Sequence, residues 1–194
     1  MEHVSFIHME DGTKQEYEFL DALEKEYKAG LADRLIHALQ QLEHSLSGYQ
    51  ITRLDHVLQG ATRAYRADES EEMILAVLLH DIGDELAPYS HSEMAAAILR
   101  PFVSAKLYWI VKQHGLFQMY HFAHFCGGDR NARDRFKHHE WYQDAIDFCE
   151  NYDQNCFDPD YDSEPLEFFE PLLRKLLAAP KQDDLEQTAR YGTA

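Results

Sequence analysis

The run Met73-Ile74-Leu75-Ala76-Val77-Leu78-Leu79 carries no polar residue on any helical face, and it ends in His80-Asp81. A helix that is apolar all round must be covered on every side. The chain therefore needs several other helices around this one. The covered helix ends in an imidazole and a carboxylate, both good metal ligands, where Lys or Arg would normally meet solvent. The partial negative charge at a helix C-terminus also favours a cation there.

Helical periodicity dominates the remainder. Leu31, Leu35, Leu39, Leu42 and Leu46 recur about every four residues and predict an amphipathic helix ending near Gly48. A second helix is expected from about Thr52 to Arg66, and a third from Glu69 to about Asp81, with Asp68 and Glu71 as its capping pair and Gly83 as its stop. His91 to Leu99 is a fourth, ended by Pro101, and Ser104 to about Gln113 a fifth, ended near Gly115. Ala132 to Tyr152 reads as one helix or two short ones, Asn155 to Pro165 as an acidic loop, and Leu166 to Leu177 as the last helix. Phe6 and Ile7 suit a short strand or an arm. The division expected is an N-terminal arm and helix (1–30), one all-α helical domain (31–180) and a polar tail (181–194).

The formal net charge of −17 argues against nucleic acid and anionic membranes as partners. It leaves room for an anionic substrate in a locally basic pocket. No apolar stretch approaches the roughly 20 residues that span a bilayer, and the start Met1-Glu2-His3-Val4 is unlike a signal peptide. The three cysteines, Cys126, Cys149 and Cys156, match no zinc spacing and are expected as reduced thiols of a cytoplasmic protein.

Neighbours on a helix diverge by about 100°. His80 and Asp81 thus suit a two-metal site, in which the imidazole binds one ion and the carboxylate bridges both. Further ligands are sought near helix ends and on inward faces. His56 lies among Leu54, Val57 and Leu58, His91 opens a helix, His114 precedes Gly115, and Asp153 ends a long helix. Four imidazoles and two carboxylates suit two iron or manganese ions better than a thiolate zinc site.

The order His56 … His80-Asp81 … His91 … His114 … Asp153 resembles the HD-domain superfamily in its two-metal form. Arg53-Leu54-Asp55-His56-Val57-Leu58-Gln59, Leu78-Leu79-His80-Asp81-Ile82-Gly83 and Tyr89-Ser90-His91-Ser92-Glu93 look closest to the HD-domain diiron oxygenases, which include myo-inositol oxygenase and enzymes that oxidatively cleave organophosphonates. The resemblance covers about residues 46–155. The interval from His56 to His80 fits it without a gap, whereas His44 in the similar segment Gln41-Leu42-Glu43-His44 lies too far upstream.

The resemblance implies an HD-domain helical bundle with a buried dinuclear site. It would hold two iron ions, Fe(II)/Fe(III), with O2 as co-substrate. A 1-hydroxyphosphonate would be cleaved at its C–P bond, giving phosphate and a carboxylic acid. The chain departs from the family where relatives carry a gating Tyr and Glu, here Leu46 and Tyr49, and a phosphonate-binding His and Lys, here Asp84 and Gln118. Tyr49 remains a candidate gate. Ala132, Arg135 and His139 would share one helical face at positions of substrate contact, Arg135 suiting a phosphonate. Asp84, with Tyr120, Phe117 or Trp141, would suit a trimethylammonium or amino tail. An HD-type phosphohydrolase acting on a nucleotide or other phosphoester uses the same ligands and is the alternative. His121 with His124 is a further pair at metal spacing, better read as pocket or surface. The Asp158-Pro159-Asp160-Tyr161-Asp162 loop resembles a calcium loop without its Gly and Glu.

Overall fold

A computed structural model describes residues 2–181. It is a bundle of eight α-helices: α1 (Lys14–Ala29), α2 (Leu31–Gln41), α3 (Arg53–Arg66), α4 (Glu71–Leu79), α5 (His91–Leu99), α6 (Ala105–Phe122), α7 (Tyr142–Tyr152) and α8 (Leu166–Leu177). Short 3-10 turns at Met9–Asp11, Leu42–His44, Ala123–Cys126 and Ala132–Phe136 complete it, and no strand occurs among the described residues. None of these helices is long and apolar enough to cross a membrane.

The apolar α4 is the centre. Leu75, Ala76, Val77, Leu78 and Leu79 are fully buried, and α4 packs against α3, α5, α6 and α8. Its N-cap is Ser70, which accepts from the Met73 amide, and not Asp68 as expected. Asp68 is used to end α3 instead. At φ 57° it occupies the left-handed region, which Asp tolerates better than most residues. The Glu69 amide then reaches Ala64 O and the Asp68 amide reaches Tyr65 O, closing a Schellman turn.

Two expected glycine stops are close approaches. α6 runs through Gly115 to Phe122, and a Cβ at Gly115 would stand 2.8 Å from Ser92 Oγ. A Cβ at Gly83 would stand 2.8 Å from the His91 carbonyl. Both glycines let the start of α5 lie against its neighbours. α2 ends at Gln41, and the predicted helix from Ala132 breaks into a 3-10 turn and α7.

Phe6 and Ile7 form an arm, not a strand, and the Phe6 ring stacks on Tyr17 at 5.4 Å. The arm is tied by Glu16, the third residue of a capping box on Thr13. The Ser5 amide and hydroxyl donate to its Oε1, and the Thr13 amide and hydroxyl to its Oε2. The Ser5 and Thr13 amides, then the hydroxyls, hold the Glu16 carboxyl down at about 2 against its usual 4.5. A depressed folded-state pKa contributes stability above the unfolded value that is lost as pH falls through the folded one. The arm is therefore expected to stay docked above about pH 4.5 and to loosen as pH falls towards about 2. Hydrogen exchange at the Ser5 amide reads this, and Glu16→Gln should make that amide exchange freely at neutral pH.

Candidate metal centre

The first turn of α3 is set by Thr52, whose hydroxyl accepts from the Asp55 amide while Asp55 Oδ2 accepts from the Thr52 amide. That box fixes where His56 enters the core. The opposite wall is the loop after α7, which α3 binds through a row of side chains. Gln59 donates to Asp158 O at 2.8 Å and accepts from Asp158 N at 3.2 Å. Thr62 Oγ1 accepts from the Glu164 amide, and Arg63 donates to Asn155 O. Gly60 makes the approach possible, since a Cβ there would stand 2.4 Å from Tyr152 O. Asp153, at the C-terminal end of α7, is thereby carried to His56.

His56, His80, Asp81, His114 and Asp153 are buried, and His91 is partly so. Three imidazoles are oriented by backbone carbonyls: His56 Nδ1 lies 3.0 Å from Cys156 O, His80 Nδ1 2.7 Å from Val77 O and His114 Nδ1 2.7 Å from Val111 O. Each of these nitrogens donates, so each Nε2 presents a lone pair. Yet His56 and His80 Nε2 stand 3.3 Å apart, and His91 and His114 Nε2 3.2 Å apart. The facing lone pairs of His56 and His80 repel unless a proton or a metal cation lies between them. Two nitrogens bound at about 2.1 Å to one ion, at right or tetrahedral angles, would stand about 3.0–3.4 Å apart.

The carboxylates complete two donor groups. Asp81 Oδ2 is 3.6 Å from both His56 and His80 Nε2, while its Oδ1 is 3.5 Å from His91 and 3.2 Å from His114 Nε2. Asp153 Oδ1 is 3.5 Å from His56 and 3.9 Å from His80, and its buried Oδ2 has no hydrogen-bond partner. Every metal-compatible group of three or more such side chains among the described residues draws on these six alone. The donors are all nitrogen and oxygen. Cys149 Sγ instead donates to His114 O, and burial pushes its thiol well up, as it pushes Cys156 up to about 12.

Charge is balanced inside the cluster. Burial opposes ionisation of Asp81, but His80 and the His114 hydrogen bond outweigh it and hold the carboxyl well below its usual range. Asp153 is lowered in the same way, burial being outweighed first by its bond to His56. Burial takes His80 down to about 4, and burial followed by the neighbouring His114 lowers His91. For His56 and His114 burial is outweighed by the bonds to Asp153 and Asp81, and both are raised. The result is ionised carboxylates with His80 and His91 held towards the neutral form, while the carboxylates favour a positive charge at His56 and His114 that a divalent cation would supply in place of protons.

The other residues singled out from sequence divide into two groups. Asp84 and Gln118 adjoin the cluster. Arg53 Nε lies 3.0 Å from Asp84 Oδ2, and His91 Nδ1 lies 4.0 Å from Asp84 Oδ1. Gln118 donates to Asp153 Oδ1 at 2.8 Å, so it orients a candidate ligand. Gln118→Leu is expected to weaken metal binding about 10–100-fold with little change in fold, as loss of a supporting partner does; metal competition titration measures it. Tyr49 is half exposed and reaches the cluster through another ring: it stacks on Phe157, which stacks on His56 at 4.4 Å.

Arg135 and His139 are elsewhere. The helical face that would have joined them does not form, because the helix breaks after Phe136. Arg135 is exposed, with its guanidinium over the Phe136 ring, and His139 lies flat on Trp109 at 3.9 Å. The aromatics expected beside Asp84 are engaged with other partners. Phe117 is fully buried, Trp141 packs with Trp109, and Tyr120 faces Arg130 and Arg133. His121 lies 3.7 Å from Glu150, and His124 stacks on Phe125. His44 is exposed.

Three contributors went unassigned from sequence. Arg53 Nη1 is 3.4 Å from Asp81 Oδ2, and its place three residues before His56, on the same helical face, was the available signal. Gln59 likewise follows His56 by three. Phe157 left no signal, since its stacking depends on the path of a loop.

No family model matches the chain. A stretch of 78 residues is 33% identical to the [1-hydroxy-2-(trimethylamino)ethyl]phosphonate dioxygenase (glycine-betaine-forming) of Leisingera caerulea, covering 34% of this chain and 40% of that protein. The match thus spans less than half of that relative's length, and it joins a buried His/Asp cluster able to hold metal to a likeness with a dioxygenase.

Proposed function

We propose that the chain is a cytoplasmic diiron oxygenase that uses O2 to cleave the C–P bond of a small 1-hydroxyphosphonate, giving phosphate and a carboxylic acid. The observation that carries this reading is the split of Asp81, one oxygen towards His56 and His80 and the other towards His91 and His114. The all-nitrogen-and-oxygen donor set fits iron, and the similarity to a phosphonate dioxygenase favours oxidation over hydrolysis. Bound there, two iron ions would supply redox chemistry towards O2 and Lewis acidity towards the substrate's oxygens.

The protein's part is placement. His56, His80 and Asp153 would hold one ion and His91 and His114 the other, with Asp81 contributing to both. Gln118 keeps Asp153 turned inward. Arg53, beside Asp81 and Asp84, offers a cation at the edge of the cluster, and Tyr49 with Phe157 covers His56. Asp84, which faces Arg53, keeps a carboxylate at the edge of the cluster for a cationic tail, and the relative's substrate carries a trimethylamino group of that kind. The catalytic unit is taken to be residues 31–180, with 1–30 as arm and helix; the tail from 182 on lies outside the described residues.

Anaerobic loading with Fe(II) followed by partial oxidation should give a mixed-valent EPR signal that changes when a 1-hydroxyphosphonate is added, with O2 consumed and phosphate released. Turnover of a phosphoester without O2, on magnesium or manganese alone, would instead make the chain a phosphohydrolase.

A further inference from the structure

Apart from the six-residue cluster, two guanidinium groups share one aromatic ring. Arg133 Cζ stands 3.7 Å and Arg130 Cζ 4.2 Å from the centroid of Tyr120, so the two cations lie within about 8 Å of each other. Arg133 is only 8% exposed. Its Nε and Nη1, and the Nε of Arg130, are buried without a hydrogen-bond partner. The neighbouring carboxylates are turned to other donors: Asp134 accepts from the Tyr142 hydroxyl, a neutral oxygen that also meets Arg133, and Asp129 accepts from the Asn131 amide. Arg53, Arg63, Arg66 and Arg174 differ, each meeting a carboxylate or a carbonyl.

A guanidinium cannot shed its charge. The face of Tyr120 attracts it but accepts nothing from the N–H groups at its edge. Two such cations within about 8 Å of each other, Arg133 buried and Arg130 half-buried, suit an anion with several acceptor oxygens. Two fixed positive charges match a dianion, whereas a monocarboxylate would leave one charge unmet. Guanidinium donors also form bidentate bonds to such oxygens.

The geometry points to a binding site for a doubly charged oxyanion of phosphoryl or phosphonate type on Arg130 and Arg133, backed by Tyr120. Arg135, which stood out from sequence, is exposed and takes no part. Tyr120 lies on α6, and the site shares none of the six side chains of the candidate metal centre.

Calorimetric titration of inorganic phosphate and of methylphosphonate into the full-length, metal-loaded chain tests this, alongside Arg130→Gln, Arg133→Gln and Arg135→Gln. Saturable binding is expected, weakened at least ten-fold in the first two variants and unchanged in the third. Arginine-dependent binding of methylphosphonate alone assigns the site to an organic phosphonate, and of phosphate alone to the free ion. The absence of saturable binding of either anion, or undiminished affinity in Arg130→Gln, overturns the proposal. Arg130 is half-buried, so that variant decides even if Arg133→Gln fails to fold.

Discussion

Asp81→Ala is expected to leave a folded helical chain that holds fewer than one metal ion and has lost at least about 10³-fold of its oxygen-dependent activity. The size of the effect follows from the position of one side chain. Both Asp81 oxygens are committed, Oδ2 between His56 and His80 and Oδ1 between His91 and His114, whereas Asp153 turns Oδ1 to His56 and His80 and meets the second pair only through His114 at longer range. Alanine removes a donor from each group and the charge that offsets two cations. Asp81→Asn is the informative companion, because it keeps the shape but presents an NH2 donor to one pair. Metal analysis with activity measures both, and retention of two ions by Asp81→Ala would refute a shared-carboxylate site. Helicity should survive, since the apolar α4 residues that organise the bundle are untouched.

The second large effect is expected from a residue with no side chain. In Gly60→Ala the new Cβ would fall 2.4 Å from Tyr152 O and 2.9 Å from Val77 Cγ1. The first neighbour is backbone and cannot turn aside, so α3 and α7 must part by about 1 Å to reach ordinary contact. Overpacking of this kind costs about 1–3 kcal/mol, against about 0.5–1 kcal/mol gained from placing Ala in a helix. The melting temperature should fall by a few degrees. The larger loss is at the site. Asp153 rides on the end of α7, and a 1 Å displacement from His56 is worth about 10²-fold in rate. The ion at His56, His80 and Asp153 should weaken while the His91–His114 side is spared. Wild-type melting and activity in Gly60→Ala would show that this crossing does not set the site.

Gly60 also shows where local reading stops. The all-helical character was legible because it rests on spacing within a few turns: the apolar α4 run, the Leu repeat of α2, and the start and end of α8 at Leu166 and Leu177. The six candidate ligands came from residue type and helix position together with the interval of the family resemblance, which separated His56 from His44, and the fold brings those six side chains together. Glycine function was not. Gly83 and Gly115 read as stops because a glycine's neighbours in sequence do not reveal the helix lying against it. The face of Arg135 and His139 failed for a related reason. A face at positions i, i+3 and i+7 presumes an unbroken helix, and the chain turns tightly after Phe136, burying Arg133 instead.

By itself, then, the sequence determined an all-helical chain built round an apolar α4 and carrying four imidazoles and two carboxylates at helix ends and inward faces. These are local properties of spacing and side-chain chemistry. Only the tertiary structure decided that the Nε2 atoms face one another in pairs, that Asp81 divides its oxygens between them, and that Arg133 and not Arg135 is enclosed. Those facts depend on how α3, α5, α6 and α7 cross around the end of α4. The crossings are set by contacts between residues far apart in the chain, such as Gly60 with Tyr152 and Gly115 with Ser92.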